Sequence, residues 1–135
     1  MRGRTDFSEV EREEIATQFV RVSDRLDEIT RAWNDLEAVV ALRGRHFYGA
    51  YDSVAKDYRA CVEVREGDPV APDLECGTLP GGRYLRARLR GEPPGIYEQI
   101  KPTFDALVAH HAPDETRPSL EHYRRHDEID LLLPI

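Results

Sequence analysis

The sequence predicts an α+β domain in which a strand–helix–strand–strand unit occurs twice, with an antiparallel sheet and both helices on one face of it. Three observations carry this. Two segments repeat apolar residues at spacings of three and four: Leu26, Ile29, Trp33, Leu36 and Val40 in the first, and Ile96, Ile100, Phe104, Leu107 and Val108 in the second. Each is preceded by one strand-like run and followed by two. Under one constant offset Ile29, Trp33 and Leu36 fall on Ile100, Phe104 and Leu107, which points to an internal duplication.

Taken in order, Met1 to about Ser8 reads as a polar, flexible end. One domain then spans 9–135: a first repeat over about 10–66, a linker over 67–79 and a second repeat over about 80–135. The run Val10–Val22 ends in Phe19, Val20 and Val22 and reads as a strand over its second half, although its Glu-Arg-Glu-Glu segment suits the start of a helix. Ser23 and Asp24 offer an N-cap to a helix that runs to about Leu42 and is closed by Gly44. Strands follow at His46–Tyr51 and Tyr58–Glu66, the second with Tyr58, Ala60, Val62 and Val64 on one face and Arg59, Cys61, Glu63 and Arg65 on the other. The stretch Gly67 to Glu75 is Pro-rich, and Leu79-Pro-Gly-Gly82 is a second turn signal.

In the second repeat, Arg83–Arg90 alternates, with Leu85, Ala87 and Leu89 on one face and Tyr84, Arg86, Arg88 and Arg90 on the other. A helix follows over Ile96–His111. Pro102 lies inside it and costs about 3 kcal/mol unless the helix kinks there or begins a second segment. The tail forms a hairpin: Pro118–Arg124, the charged turn Arg125-His-Asp-Glu128, and the almost continuously apolar Ile129–Ile135. Ser119, Glu121 and Tyr123 share one face of its first strand, Leu120 and His122 the other. Leu120 is expected to face the second helix, and Glu121 the groove where the helix-free faces of the two halves meet. A carboxylate is depleted in mid-strand, so Glu121 beside Tyr123 is either a solvent-facing residue or a half-buried acid in an aromatic pocket.

Composition narrows the function classes. A net charge of −7 argues against direct nucleic-acid binding, which needs a basic footprint, and favours cationic ligands. No run approaches a membrane span, and the N-terminus lacks the apolar segment of a secretory signal, so a cytoplasmic location is expected. Cys61 and Cys76 lack CxxC spacing and are expected to be reduced, with Cys61 a packing residue. His110-His111 and His122-x3-His126 invite a metal, but a strand and turn at His122–His126 keep that pair from converging. No metal and no other cofactor is expected. There is no Gly-rich phosphate loop, no nucleophile elbow, and no His/Asp partner for Ser53 or Ser119.

Three stretches together resemble the GyrI-like small-molecule-binding family, which includes effector-binding domains of AraC-type and MerR-type multidrug-responsive regulators. They are the tail Pro118-Ser-Leu-Glu-His-Tyr…Glu128-Ile-Asp-Leu-Leu-Leu-Pro-Ile135, the lead-in Leu79-Pro-Gly-Gly-Arg-Tyr-Leu-Arg-Ala-Arg-Leu-Arg-Gly91, and Phe47-Tyr-Gly-Ala-Tyr51. The order and spacing of these stretches, from about Ile15 onward, carry the resemblance. It implies a duplicated, SHS2-like fold with a central groove for bulky aromatic or lipophilic, often cationic compounds. It also implies a glutamate within an aromatic cage: Glu121 at the matching position, with Tyr48, Tyr51, Tyr84, Tyr97 and Tyr123 as the cage candidates. Regulators of this family carry a preceding helix-turn-helix domain. This chain has no room for one, so a stand-alone binding or sequestering module is expected, with a separate regulator or a second copy as the partners left open. The alternative, from the enzyme class, is a detoxifying hydrolase of cyclopropane-bearing electrophilic natural products that uses Glu121, with Glu63 as a second acid. Binding is the favoured reading of the two.

Overall fold

The computed structural model describes residues 7–39 and 45–135. Val40, Leu42 and Gly44, expected in the first helix and at its end, lie outside them. The elements are β1 (Phe7–Arg12), β2 (Ile15–Ser23), α1 (Leu26–Val39), β3 (Phe47–Asp52), β4 (Asp57–Glu63), β5 (Glu75–Leu79), β6 (Gly82–Arg90), α2 (Gly95–Glu98), α3 (Ile100–His110), β7 (Ser119–Arg125) and β8 (Glu128–Pro134). All pairings are antiparallel, in one eight-stranded sheet of order β1-β6-β8-β7-β3-β4-β2-β5. The fold is α+β with its helices on one face, as the sequence pattern requires.

That order is symmetric about the β3–β7 pair. β3, β4 and β2 step outward on one side, and β7, β8 and β6 on the other. Each half begins with one strand more than the sequence pattern shows, and that strand joins the opposite half: β1 pairs with β6, and β5 with β2. The strand β1 occupies ground read as the end of a flexible terminus and a helix start, and β5 the end of a stretch read as linker. Both are edge strands, and their composition hides them. Phe7-Ser-Glu-Val-Glu-Arg12 is half charged, as exposed edges are, and Glu75-Cys-Gly-Thr-Leu79 has a glycine at its centre.

The exchange forces the sheet to curl. Were the sheet flat, β1 and β2 would lie about 29 Å apart, six strand spacings of nearly 5 Å. Only Glu13 and Glu14 join them, a reach of about 10 Å from Arg12 to Ile15. Pro80 and Gly81 make the equivalent short link from β5 to β6. The two links touch: a Cβ on Gly81 would sit 2.7 Å from the Arg12 carbonyl oxygen and 2.9 Å from the Glu14 nitrogen.

Curling turns the helix-free face inward, where it fills with its own side chains. Phe19, Tyr48, Ala50, Cys61, Leu79, Tyr84, Leu120 and Leu132 form this core. The opposite face carries two further cores, one under each helix. Ala32 and Leu36 of α1 pack on Val22, Tyr58, Ala60 and Val62, while Leu107 of α3 and Ile96 of α2 pack on Leu85, Ile129, Leu131 and Leu133. Buried on both sides, β8 is apolar almost throughout. Its fully buried Asp130 lies on the inner face. Burial acts to raise its pKa, but the Arg88 guanidinium, 2.7 and 3.0 Å away, holds it below the usual carboxylate value.

Two local expectations need adjusting. Pro102 falls in the first turn of α3, after a break at Gln99, so the helix does begin a second segment there. The side chains of Ser23 and Asp24 make no capping hydrogen bond among the described residues. The first helical bond runs from the Ile29 N–H to the Arg25 carbonyl. The crossing of the two links predicts that Gly81→Ala costs about 1–3 kcal/mol of stability, measured by urea unfolding, because the added carbon meets main chain that cannot yield. A neutral substitution would mean that the links do not press together.

Candidate functional site

The site is built on the central strand pair. In β3 the period of two puts Phe47, Gly49 and Tyr51 on the helix-covered face, and in β7 it puts Ser119, Glu121 and Tyr123 there. The register sets Gly49 directly opposite Glu121. A Cβ at Gly49 would lie 2.0 Å from the Tyr58 hydroxyl oxygen and 2.5 Å from Glu121 Oε1, so the glycine makes the room in which these groups meet.

Into that room Tyr58 of β4 donates a hydrogen bond to Glu121 Oε1 at 2.8 Å, and Tyr123 donates to the same oxygen at 2.6 Å. The Trp33 indole N–H of α1 donates in turn to the Tyr58 hydroxyl at 3.2 Å, which leaves the Tyr58 proton directed at the carboxylate. The Trp33 ring meets Tyr123 edge-on, with ring centroids 5.3 Å apart. Among the described residues nothing donates to Oε2, and no lysine or arginine pairs with Glu121. Burial therefore raises the Glu121 pKa, the hydrogen bonds from Tyr123 and Tyr58 oppose that rise, and the charge of Asp24 adds to it. Burial and the neighbouring carboxylate also hold the Tyr58 and Tyr123 hydroxyls well above the ordinary tyrosine value, so both stay donors.

Glu121 lies on the floor of a cleft of about 470 Å³ between α1 and α3. Ile29, Ile100, Phe104 and Val108 form its helical walls, and Tyr51, Tyr58 and Leu133 extend the floor. Asp24 and Ser53 stand at one part of the rim, Asp114 and Glu115 at another. The arrangement is an apolar, partly aromatic slot with an uncompensated carboxylate at its base. It suits a lipophilic cation: ring faces attract positive charge, and the surrounding low dielectric strengthens the pull of the acid.

No family model and no curated protein matches the chain. Solved structures do. An integron cassette protein from the mobile metagenome of Vibrio cholerae superposes with a TM-score of 0.72 and 16% identity over 96% of this chain and 94% of that one. The C-terminal domain of EcmrR gives 0.69 and 11% over 96% of each chain. SAV2435, solved bound to tetraphenylphosphonium, gives 0.67 and 14% over 96% and 93%. The chain shares the fold of these three proteins, the fold that the resemblance to the GyrI-like family implies.

On that fold the residues singled out from sequence fall in different places. Glu121 and Tyr51 line the cleft, and Tyr123 bonds to Glu121 from beside it. Tyr48 and Tyr84 lie across the sheet in the inner core, where Tyr48 stacks on His122 and the Tyr84 hydroxyl donates to the Pro80 carbonyl. Tyr97 stands on α2, 49% exposed and outside the cleft lining. Glu63 points to the inner face, near Arg65, so the structure does not bring it to Glu121. Leu120 also points inward, away from the second helix, because the helices cover the face that Glu121 shares. The cleft accordingly lies between the helices, and the helix-free face where a groove was expected is filled.

Two participants escaped the sequence reading. The sequence pattern groups Tyr58 with Ala60, Val62 and Val64 on one strand face and Trp33 with the apolar stripe of the first helix. The signal for Tyr58 was present: a glycine inside a strand marks a close approach, and Tyr58 shares the helix-covered face. The His122-x3-His126 pair does not converge. His122 is buried, accepts from Arg12 at 3.2 Å and contacts His46 at 3.1 Å. Burial, then Arg12 and His46, lower its pKa to about 3, so it stays neutral near pH 7. His126 lies near Glu92 and Asp127 at the exposed turn.

The raised Glu121 pKa has a consequence for stability. Above its folded-state pKa the native protein holds a desolvated charge that the unfolded chain solvates, so this group favours folding below about pH 4.5 and that advantage is lost as pH rises. Glu121→Gln keeps an acceptor for both tyrosines without the charge. It is expected to melt about 3 °C or more above wild type at pH 8, with the gap closing as pH falls through the raised Glu121 pKa towards 4.5. A gap independent of pH would contradict the desolvated carboxylate.

Proposed function

We propose that this chain binds bulky aromatic or lipophilic cations in the cleft between α1 and α3, with Glu121 as the countercharge, and so serves as a drug-binding or sequestering protein. The observation that carries the reading is a half-buried carboxylate that, among the described residues, is held only by hydroxyl groups and has no protein cation. Burying such a group costs free energy, and a cationic ligand is the partner that would offset the cost. Tyr51, Tyr58, Phe104 and the aliphatic walls would cover the ligand's apolar surface. The tetraphenylphosphonium bound by SAV2435, a neighbour in fold, is a cation of this chemistry.

The rival is hydrolysis of a strained electrophile, and the raised Glu121 pKa is what favours it, since a base poised towards neutrality can activate water. It must work with Glu121 alone, because Glu63 lies on the other face. Ring-opened product from a cyclopropane-bearing alkylator at substoichiometric protein would assign turnover.

Tetraphenylphosphonium titrations, followed through the fluorescence of Trp33, test the binding reading. Wild type is expected to bind more tightly as pH rises from about 4.5 and Glu121 loses its proton, then to level off. Glu121→Gln should bind about tenfold or more weakly, with a flat pH profile. Equal affinity and equal pH dependence in the two proteins would remove Glu121 from the role.

A further inference from the structure

Besides Glu121, two acids that line the cleft, Asp24 and Glu115, have no ion pair among the described residues, and of these Asp24 is the one whose charge acts on Glu121 in the cleft. Of the charged residues lining it, Lys101 pairs with Asp105, and Arg117 is spent on Asp114 and on the carbonyls of Gly81, Arg83 and Ile135. Asp24 has no ion pair and no side-chain hydrogen bond among the described residues. Its main-chain N–H is anchored to the Lys56 carbonyl, which fixes it beside the β3–β4 turn that brings Ser53 to the same part of the rim. The residue does not cap α1, so its carboxylate is free for a ligand. Asp24 and Glu121 line the same cleft, and the Asp24 charge adds to the rise of the Glu121 pKa, so the two carboxylates lie within Coulombic range of each other. Ile29, Tyr51 and Tyr58 line the same cleft and offer apolar and aromatic surface to a spacer.

We propose that the cleft selects ligands with two cationic centres joined by an aromatic spacer, the inner centre on Glu121 and the outer centre on Asp24. This rests on the cation-binding reading of the cleft and deepens it. A monocation satisfies the floor and leaves the rim charge to water. A dication neutralises both carboxylates and lays its spacer over Tyr51 and Tyr58, where ring contacts add to the attraction. Asp24 then acts as a specificity determinant: it distinguishes ligands by charge number and not by size or greasiness. For a monocation seated on Glu121 its removal changes little, because the outer carboxylate makes no direct contact with such a ligand.

The test compares pentamidine, an aryl-spaced bis-amidine, with tetraphenylphosphonium by isothermal titration calorimetry on wild type, Asp24→Asn and Glu121→Gln at pH 7. Asp24→Asn is expected to weaken pentamidine by about fivefold, the upper range for a solvent-exposed ion pair, and to leave tetraphenylphosphonium nearly unchanged. Glu121→Gln should weaken both. Equal loss for both ligands in Asp24→Asn, no loss for pentamidine, or no pentamidine binding by wild type overturns the two-centre proposal while Glu121-dependent tetraphenylphosphonium binding leaves the cleft reading standing. Tetraphenylphosphonium binding that ignores Glu121 overturns that reading itself.

Discussion

The structure turns on one contact: a carboxylate on β7 meeting a glycine on β3 across the central strand pair. Gly49 contributes no side chain, and the space it leaves admits Glu121 and the hydroxyls of Tyr58 and Tyr123 together. The register that pairs Gly49 with Glu121 also places Tyr51 and Tyr123 two residues further along their strands, on the same face. The halves are therefore alike in architecture and unlike at the position that matters. One supplies an acid and the other supplies room for it.

What surrounds this contact follows from how the halves exchange their first strands. With β1 on the second half and β5 on the first, two-residue links must cross near one end of the sheet, and the sheet curls around its helix-free face. That face becomes a closed interior, packed with Phe19, Tyr48, Tyr84 and Leu132 and threaded by the Arg12–His122–His46 chain and the Arg88–Asp130 pair. The helix-covered face remains, and because α1 and α3 sit on different halves, the gap between them opens over the central strands. Glu121 lies at the base of that gap because its parity along β7 is that of Tyr123 and opposite to that of Leu120.

Much of this was legible in the sequence, for identifiable reasons. The two helical stripes and the hairpin at the C-terminus are long periodic patterns, and periodicity survives without knowledge of the tertiary structure. Glu121 stood out because an acid in mid-strand needs a reason. The edge strands were not legible, since their charges and glycine reflect life at a sheet edge and not burial. The facing of the tyrosines was half legible. Alternation says which residues share a face, as with Glu121 and Tyr123, but not which face the helices cover. Tyr48 and Tyr84 join Glu121 as cage candidates through the resemblance, and the pairings of β3 with β7 and of β6 with β8 turn them to the other face. Tyr58 looked like packing beside Val62, and it is packing. Its hydroxyl reaches Glu121 only because Gly49, on a strand between them, has no side chain.

The most direct test of Glu121 as the countercharge for a lipophilic cation is a crystal structure of the protein with tetraphenylphosphonium. The account predicts the phosphonium centre over Glu121 between α1 and α3, with phenyl groups against Tyr51, Tyr58 and Phe104. A ligand seated inside the curled face or on a sheet edge, with Glu121 still bonded only to its two tyrosines, would contradict it.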